Sequence, residues 1–427
     1  MKLFRLYISL SLMILVCDCL KGQDFITVSG QILDDSRSVP LPFAAISVAY
    51  STLGTVTNDD GWFQLTIPAK YRNDTLLATF LGFETFKGQI SDLSQQTVTM
   101  RLKPTALNLS EVEIIGLTPR EVIRRAVANI PVNYGKDSLL LTAFIRSQKF
   151  VGNKLAEFSE AIVEDLKTGY FLYKRGQQEN KFRNSNVPLL LKGRVSSDTS
   201  LVNAMGDVGK KAGCLGCNFM NDMVEYYHHT ILDEETLKYY DLKMKEIDHP
   251  DGGKIYHIWY DQSIKNQKLY RGDLYIDGSS FAIMRISQKP SYNAFDAYEK
   301  GKYRRTYTIF NTPGWIAEMP LLERTISYSK RGENWCLSII REVQWVTFIM
   351  PVNDQKIRMG YKNDVVVTNV TRDPELLRNF KGDKAIGADQ RWDQIVGQPD
   401  PEFWDDFNCL PIESELEKSI QRLVQKQ

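Results

Sequence analysis

Four groups of residues in this 427-residue chain are of types that could do chemistry. The first is Cys214-Leu-Gly-Cys217. A pair of cysteines at this spacing can ligate zinc, cycle as a redox disulfide or close a short structural bridge. Zinc needs two further ligands, and the nearest histidines, His228 and His229, are adjacent and miss the usual ligand spacing. Thioredoxin-like chemistry needs a βαβ setting that this stretch lacks. The favoured reading is a disulfide that pins a loop, with inert reduced thiols as the alternative. Neither cysteine is expected to be catalytic, and no metal or cofactor is expected.

The second group is the histidines. His257 lies in the run Lys254-Ile-Tyr-His-Ile-Trp-Tyr260, where alternation puts it on one face with Ile255 and Trp259. Between such neighbours a histidine reads as a packing residue. His249 precedes Pro250-Asp-Gly-Gly, a turn. The third group is the acidic pairs Asp34-Asp35, Asp59-Asp60, Glu234-Glu235 and Asp405-Asp406. Adjacency in sequence does not place two carboxylates across a site, so these read as solvated turns. Asn58-Asp59-Asp60-Gly61 lacks the ligand positions and closing Glu of a calcium loop. The chain also lacks a His-Glu-x-x-His helix and a Gly-x-Ser-x-Gly elbow, which disfavours a zinc peptidase or an α/β-hydrolase. The fourth group is the aromatics, 7 Trp, 20 Tyr and 20 Phe. Trp259, Tyr260, Tyr270 and Tyr275 are the candidate ligand-facing set, with cross-strand packing as the plainer account.

The elements that must position these groups are mostly strands. From Asp24 to Lys103 short apolar runs end in turn chemistry: Asp34-Asp35-Ser36, Asn58-Asp59-Asp60-Gly61 and Pro68. Gly61 is expected at positive φ. Thr118-Pro-Arg-Glu121 is a capping box opening an amphipathic helix to about Asn129. From Leu139 to Thr371 strands dominate. The clearest hairpin turns through Asp277-Gly278-Ser279-Ser280, with Leu274 and Ile276 on one face and Asp273 and Tyr275 on the other. Separate strands are expected at 303–310, 315–319, 324–329, 335–341, 343–350 and 364–369. Residues 175–235 read as an insertion covering one side of the sheet, with 221–230 helical. Residues 372–427 read as an irregular tail ending in a helix from Glu413, with Leu416, Ile420, Leu423 and Val424 at helical spacing.

Lys2 and Arg5 followed by the apolar run Leu6–Val16 read as a secretory signal peptide over 1–22, cut after Gly22. Val16 and Asp18 precede Cys17 and Cys19, which disfavours lipidation at either cysteine. Later residues contain no apolar run long enough for a membrane helix, so any membrane association is peripheral. Lys plus Arg number 53 against 52 Asp plus Glu, with no basic stripe, which argues against a nucleic-acid partner. Four cysteines lie beyond the signal, Cys214, Cys217, Cys336 and Cys409, and allow three pairings.

Gly30-Gln-Ile-Leu-Asp-Asp, Pro40-Leu-Pro-Phe-Ala-Ala-Ile-Ser-Val-Ala, Gly54-Thr-Val-Thr-Asn-Asp-Asp-Gly61-Trp-Phe-Gln-Leu and Leu81-Gly-Phe-Glu-Thr together resemble the carboxypeptidase regulatory-like domain. That resemblance implies a transthyretin-like β-sandwich at the front of a bacterial envelope protein. Tyr270–Ile286 and the closing 403–418 segment resemble large secreted proteins that carry this module. The hairpin more distantly resembles periplasmic lipoprotein-carrier half-barrels. The implied fold is mainly β: a sandwich over 23–104, a linker and amphipathic helix over 105–131, and a large antiparallel domain over 132–371 of half-barrel type. The family supplies no catalytic residues. The implied role is that of an exported, non-catalytic envelope protein that binds a protein partner or an apolar, lipid-like ligand. The alternatives are a secreted hydrolase with a scattered catalytic set, and an outer-membrane β-barrel carrying a periplasmic sandwich.

Overall fold

A computed structural model describes residues 25–105, 116–172, 188–204, 222–228, 230–249, 252–262, 270–291, 305–306, 316–317, 321–349, 355–380, 404 and 407–424. The signal-peptide segment, Cys214 and Cys217 lie outside them. The first seven strands are β1 (Phe25–Asp34), β2 (Ala45–Val48), β3 (Gly54–Val56), β4 (Trp62–Pro68), β5 (Thr75–Thr79), β6 (Phe86–Gln89) and β7 (Val98–Leu102). They form a sandwich of two sheets ordered β4-β1-β7 and β3-β2-β5-β6. Alternate residues of β1 point inward, and Val28, Ile32, Ile46, Phe63, Leu65 and Leu76 meet in one core. The turns form as their residues dictate. Asn58 Oδ1 accepts the amides of Asp60 at 3.0 Å and Trp62 at 2.8 Å. Gly61 sits at φ +76°, where a Cβ would lie 2.7 Å from the Ile32 carbonyl oxygen.

The capping box at Thr118 is present on the helix Pro119–Ala128. Twelve further strands follow: β8 (Leu139–Val151), β9 (Lys154–Lys167), β10 (Leu189–Ser197), β11 (Tyr240–Asp248), β12 (Lys254–Gln262), β13 (Tyr270–Asp277), β14 (Ile283–Pro290), β15 (Arg305–Thr306), β16 (Ile316–Ala317), β17 (Leu321–Arg331), β18 (Asn334–Ile349) and β19 (Lys356–Thr371). Ten of them make one antiparallel path, β10-β9-β8-β19-β18-β17-β14-β13-β12-β11, and β15 and β16 pair off it beside β18. Among the described residues β10 and β11 end this path and do not pair with each other, so the sheet is open. The closed-barrel alternative is therefore corrected.

Three other expectations change. The two strands expected over 335–341 and 343–350 are one strand as far as it is described, β18 (Asn334–Ile349), running straight through Arg341 and Glu342. These mid-strand charges are tolerated because Glu342 pairs with Arg324 of β17 and Arg341 with a residue of the sandwich. The expected helix over 221–230 is a run of turns among its described residues. The insertion also does more than cover: it supplies the edge strand β10 and a wedge of buried Met223, Val224, Tyr227, Ile231 and Leu232.

Both faces of the central strands are buried, which explains the nearly unbroken burial along β8 and β9. The inner face, with Leu141, Ala143, Ile145, Val163, Ile340 and Val365, packs beneath Val122, Ile123 and Ala126 of the helix and beneath the insertion wedge. Leu274 and Ile276 share this face, as alternation required. The C-terminal helix Ser414–Val424 lies elsewhere, placing Leu416 and Leu423 on Leu155 and Phe158 of β9. The inner core carries a charged network. Lys167 Nζ donates to Asp222 Oδ2 at 2.7 Å and to Glu225 Oε2 at 2.5 Å. The Tyr170 and Tyr328 hydroxyls donate to the two oxygens of Asp222 at 2.9 and 2.6 Å. Burial alone would raise the Asp222 carboxyl, but the Lys167 charge and these donors hold it below its ordinary value. The network ties the insertion to β9 and β17. Lys167→Met strands two buried carboxylates and should cost about 3–5 kcal/mol. Urea unfolding checks this as a lowered midpoint with unchanged slope.

Candidate functional site

The site begins with how the sandwich docks on the sheet's outer face. Val56 and Phe43 pack against Phe144, Ile162, Ile339, Val366 and Leu410. Asp59, carried by the Asn58–Gly61 turn, accepts from Arg341 Nη1 at 2.6 Å, Arg341 Nη2 at 3.1 Å and Lys362 Nζ at 2.6 Å. Thr52 Oγ1 donates to Asn369 Oδ1 at 3.0 Å, and Arg331 Nη1 to the Thr52 carbonyl at 3.2 Å. The C-terminal segment seals the joint. The Asn408 side chain accepts the Thr66 amide at 2.5 Å and donates to the Thr66 carbonyl at 3.0 Å, occupying the free edge of β4 as a strand would. Fully buried Arg146 of β8 donates to Glu160, to the Leu410 and Pro411 carbonyls and to Glu413.

This docking covers β8, β9, β18 and β19 but leaves a groove of about 640 Å³ beside them. One wall is the outer face of the β2-β5-β6 sheet, with Ala45, Ser47, Leu77 and Thr79 projecting opposite to the sandwich core. Phe80, Leu81 and Phe83 extend it. The other wall is the outer face of the large sheet, with Ile255, Met284, Arg285, Ser327, Ser329 and Trp335. Two lining aromatics hold backbone conformations unusual for residues with side chains. Phe43 sits at φ +62° beneath the Arg341 guanidinium, 4.4 Å from its ring centre, and Tyr50 at φ +56° is fully exposed at the loop tip.

The candidate aromatics divide between the two faces of the sheet. Tyr260 points into the inner core and donates to the Ser287 carbonyl at 2.7 Å. Burial raises its hydroxyl well above the ordinary value. Trp259 and Tyr275 stand on the outer face, on either side of His257, at ring distances of 3.9 and 4.1 Å. Tyr270 is half-buried at the start of β13. None of the four lines the groove. Cys336 and Cys409 are free thiols.

His257 Nε2 lies 2.9 Å from Asp273 Oδ1, and the Ser287 hydroxyl donates to Asp273 Oδ2 at 3.1 Å. The hydrogen bond to His257, opposed by burial and aided by Ser287, holds the Asp273 carboxyl below its ordinary value. A nucleophile relay needs the imidazole between serine and carboxylate. Here the carboxylate lies between them, so Ser287 has no base and the set does not form that relay. Among the described residues no three His, Cys, Asp or Glu side chains converge on a metal position.

The groove residues were not singled out from the sequence. Alternation along β14 from Ile286 puts Arg285 on the outer face, yet nothing local says that the sandwich stands opposite. Arg285 is half-buried and makes no hydrogen bond or ion pair with a described residue. Burial lowers its guanidinium from the ordinary value, countered in part by Tyr275 and Asp273.

Residues 28–114 match the family model described as the CarboxypepD_reg-like domain. The sandwich is a carboxypeptidase regulatory-like domain. No curated protein matches the chain. Among solved structures, the chain is similar to one described as an outer membrane lipoprotein-sorting protein domain from Vibrio parahaemolyticus. That pair shares 10% identity at a TM-score of 0.25, over 60% of this chain and 98% of that one. A DUF1329 family protein from Desulfovibrio piger shares 11% identity at a TM-score of 0.24, over 60% and 93% of the two chains. A membrane-associated protein of unknown function from Bacteroides fragilis shares 10% at a TM-score of 0.15, over 81% and 97%. At these scores the likenesses bear on neither ligand nor mechanism. No helix among the described residues is long and apolar enough to cross a membrane.

The docking of the regulatory-like domain has a pH signature. Burial would raise the Asp59 carboxyl, but the Arg341 hydrogen bond and the Lys362 and Arg341 charges hold it below 3.8. A depressed carboxyl stabilises the fold above its unfolded value and loses that contribution as pH falls through the folded value. Asp59→Asn should cost about 1–2 kcal/mol at neutral pH, between the exposed and buried limits for an ion pair. Paired urea melts should show the gap between the two proteins closing as pH drops below 3.8.

Proposed function

We propose that this chain is an exported, non-catalytic binding module of the cell envelope. Its carboxypeptidase regulatory-like domain and its antiparallel sheet together form a groove for an apolar ligand or the apolar segment of a partner. The observation that carries the reading is the groove itself. It has the volume of a small-molecule site, about 300–1,000 Å³, and its walls are held by two separately cored units. Phe43, Leu77, Phe80 and Met284 offer apolar surface whose removal from water favours binding. The charged start and apolar run of residues 1–22 support export. The chemistry-bearing residues support a non-catalytic role, because His257 and Ser287 meet through Asp273 in the wrong order for hydrolysis.

The test is titration of the full mature chain with Nile red, a neutral probe whose emission rises in apolar surroundings. Saturable binding should weaken about 10-fold or more in Leu77→Glu and in Met284→Glu, because each places a charge on an apolar wall. Both positions are half-exposed, so the variants should melt close to the parent. Unsaturable binding, or binding untouched by both substitutions, would overturn the groove as the site.

A further inference from the structure

We propose that the groove selects an anionic single-chain amphiphile, a long-chain carboxylate whose head group pairs with Arg285 while its chain lies along the apolar walls. This rests on the groove reading above and names the class of ligand.

The argument starts from the charges around the groove. Arg285, Lys87 and Lys330 line it, and no Asp or Glu does among the described residues. Asp273 of the adjoining strand β13 acts on Arg285 through its charge, but it is hydrogen-bonded to His257 and Ser287 and is not part of the lining. Arg285 is the informative member. It pairs in register with Tyr275 on one side and Ser327 on the other, and neither is a carboxylate. A half-buried guanidinium without a hydrogen-bond partner is costly, because its solvation is reduced and nothing replaces the lost water. A ligand carboxylate would accept two parallel hydrogen bonds from its planar fork. The Ser327 hydroxyl, in the same lining and paired with Arg285, offers a further donor at the head-group end. Next along β14, Met284 faces the same groove, and Leu77 and Phe80 line the wall provided by the sandwich. Cation and apolar surface thus adjoin, the arrangement an amphiphile requires.

Calorimetric titration of the full mature chain with decanoate and with decanol, below their aggregation limits, tests this directly. Decanoate should bind about 10-fold or more tightly than decanol, the scale of one charge-assisted pair. Arg285→Gln should abolish that preference while leaving decanol affinity within about two-fold. Arg285→Lys keeps the charge but loses the fork, and should retain only part of the preference. Retained decanol binding also shows that each variant is folded. Equal affinities for decanoate and decanol in the parent would overturn the anionic class and leave the groove reading standing. A preference that survives Arg285→Gln would overturn Arg285 as its source. Tighter binding of an acidic apolar peptide than of decanoate would overturn the amphiphile in favour of a protein partner. Failure of decanoate, decanol and Nile red alike would remove the groove reading itself.

Discussion

The geometry of this molecule depends on one shared carboxylate. Asp59 accepts hydrogen bonds from both Arg341 and Lys362, and these residues stand on neighbouring strands of the large sheet. Desolvation works against such a contact, so it persists only because both cations are held in place and the carboxylate is presented by a rigid turn. Asn58 rigidifies that turn with two backbone hydrogen bonds, and Gly61 permits its left-handed step. A local device of the sandwich is thereby converted into a long-range contact. Apolar packing of Val56 and Phe43 supplies area, while the ion cluster supplies position.

Position matters because the groove is what remains beside the contact. The sandwich covers the outer face of the sheet's centre and stands away from β12, β14 and β17. The C-terminal segment locks the same joint, through Arg146 beneath Leu410 and Pro411 and through Asn408 on the edge of β4. Arg146 is buried with Glu160 and Glu413, so removing it would take away the only cation paired with Glu413 among the described residues and one of the two paired with Glu160. Both joints reach the same turn, since Asn58 Nδ2 also donates to the Pro411 carbonyl, and together they leave the domain little freedom to rotate.

The large sheet meets a different problem on each face. Its inner face is closed by the capped helix and the insertion wedge, and the Lys167 network fixes their register. An apolar core tolerates sliding, whereas a buried lysine with two carboxylates has few satisfactory arrangements. The apolar surface left uncovered therefore lies on the outer face, where the groove opens between the sandwich and the sheet.

Much of the local structure was legible in the sequence because it rests on contacts within a few residues. The turns at Asn58–Gly61 and Asp277–Ser280, the capping box at Thr118 and the face assignment of Leu274 and Ile276 all obey short-range sterics, hydrogen bonding or period-two alternation. The continuity of β18 through Arg341 and Glu342 was not, since the partners of those charges are distant in sequence. The edge strand β10 and the wedge at 222–232 were hidden in polar, loop-like stretches whose pairing is long-range. The four aromatics read as one set were divided by the pleat, which sent Tyr260 inward and Trp259 outward. By itself the sequence determined the modules, their turns and the in-or-out face of each strong strand, because those depend on neighbours in the chain. Only the tertiary structure decided that Arg285 faces Leu77 and Phe80 across a groove, because that juxtaposition exists only once Asp59 meets Arg341.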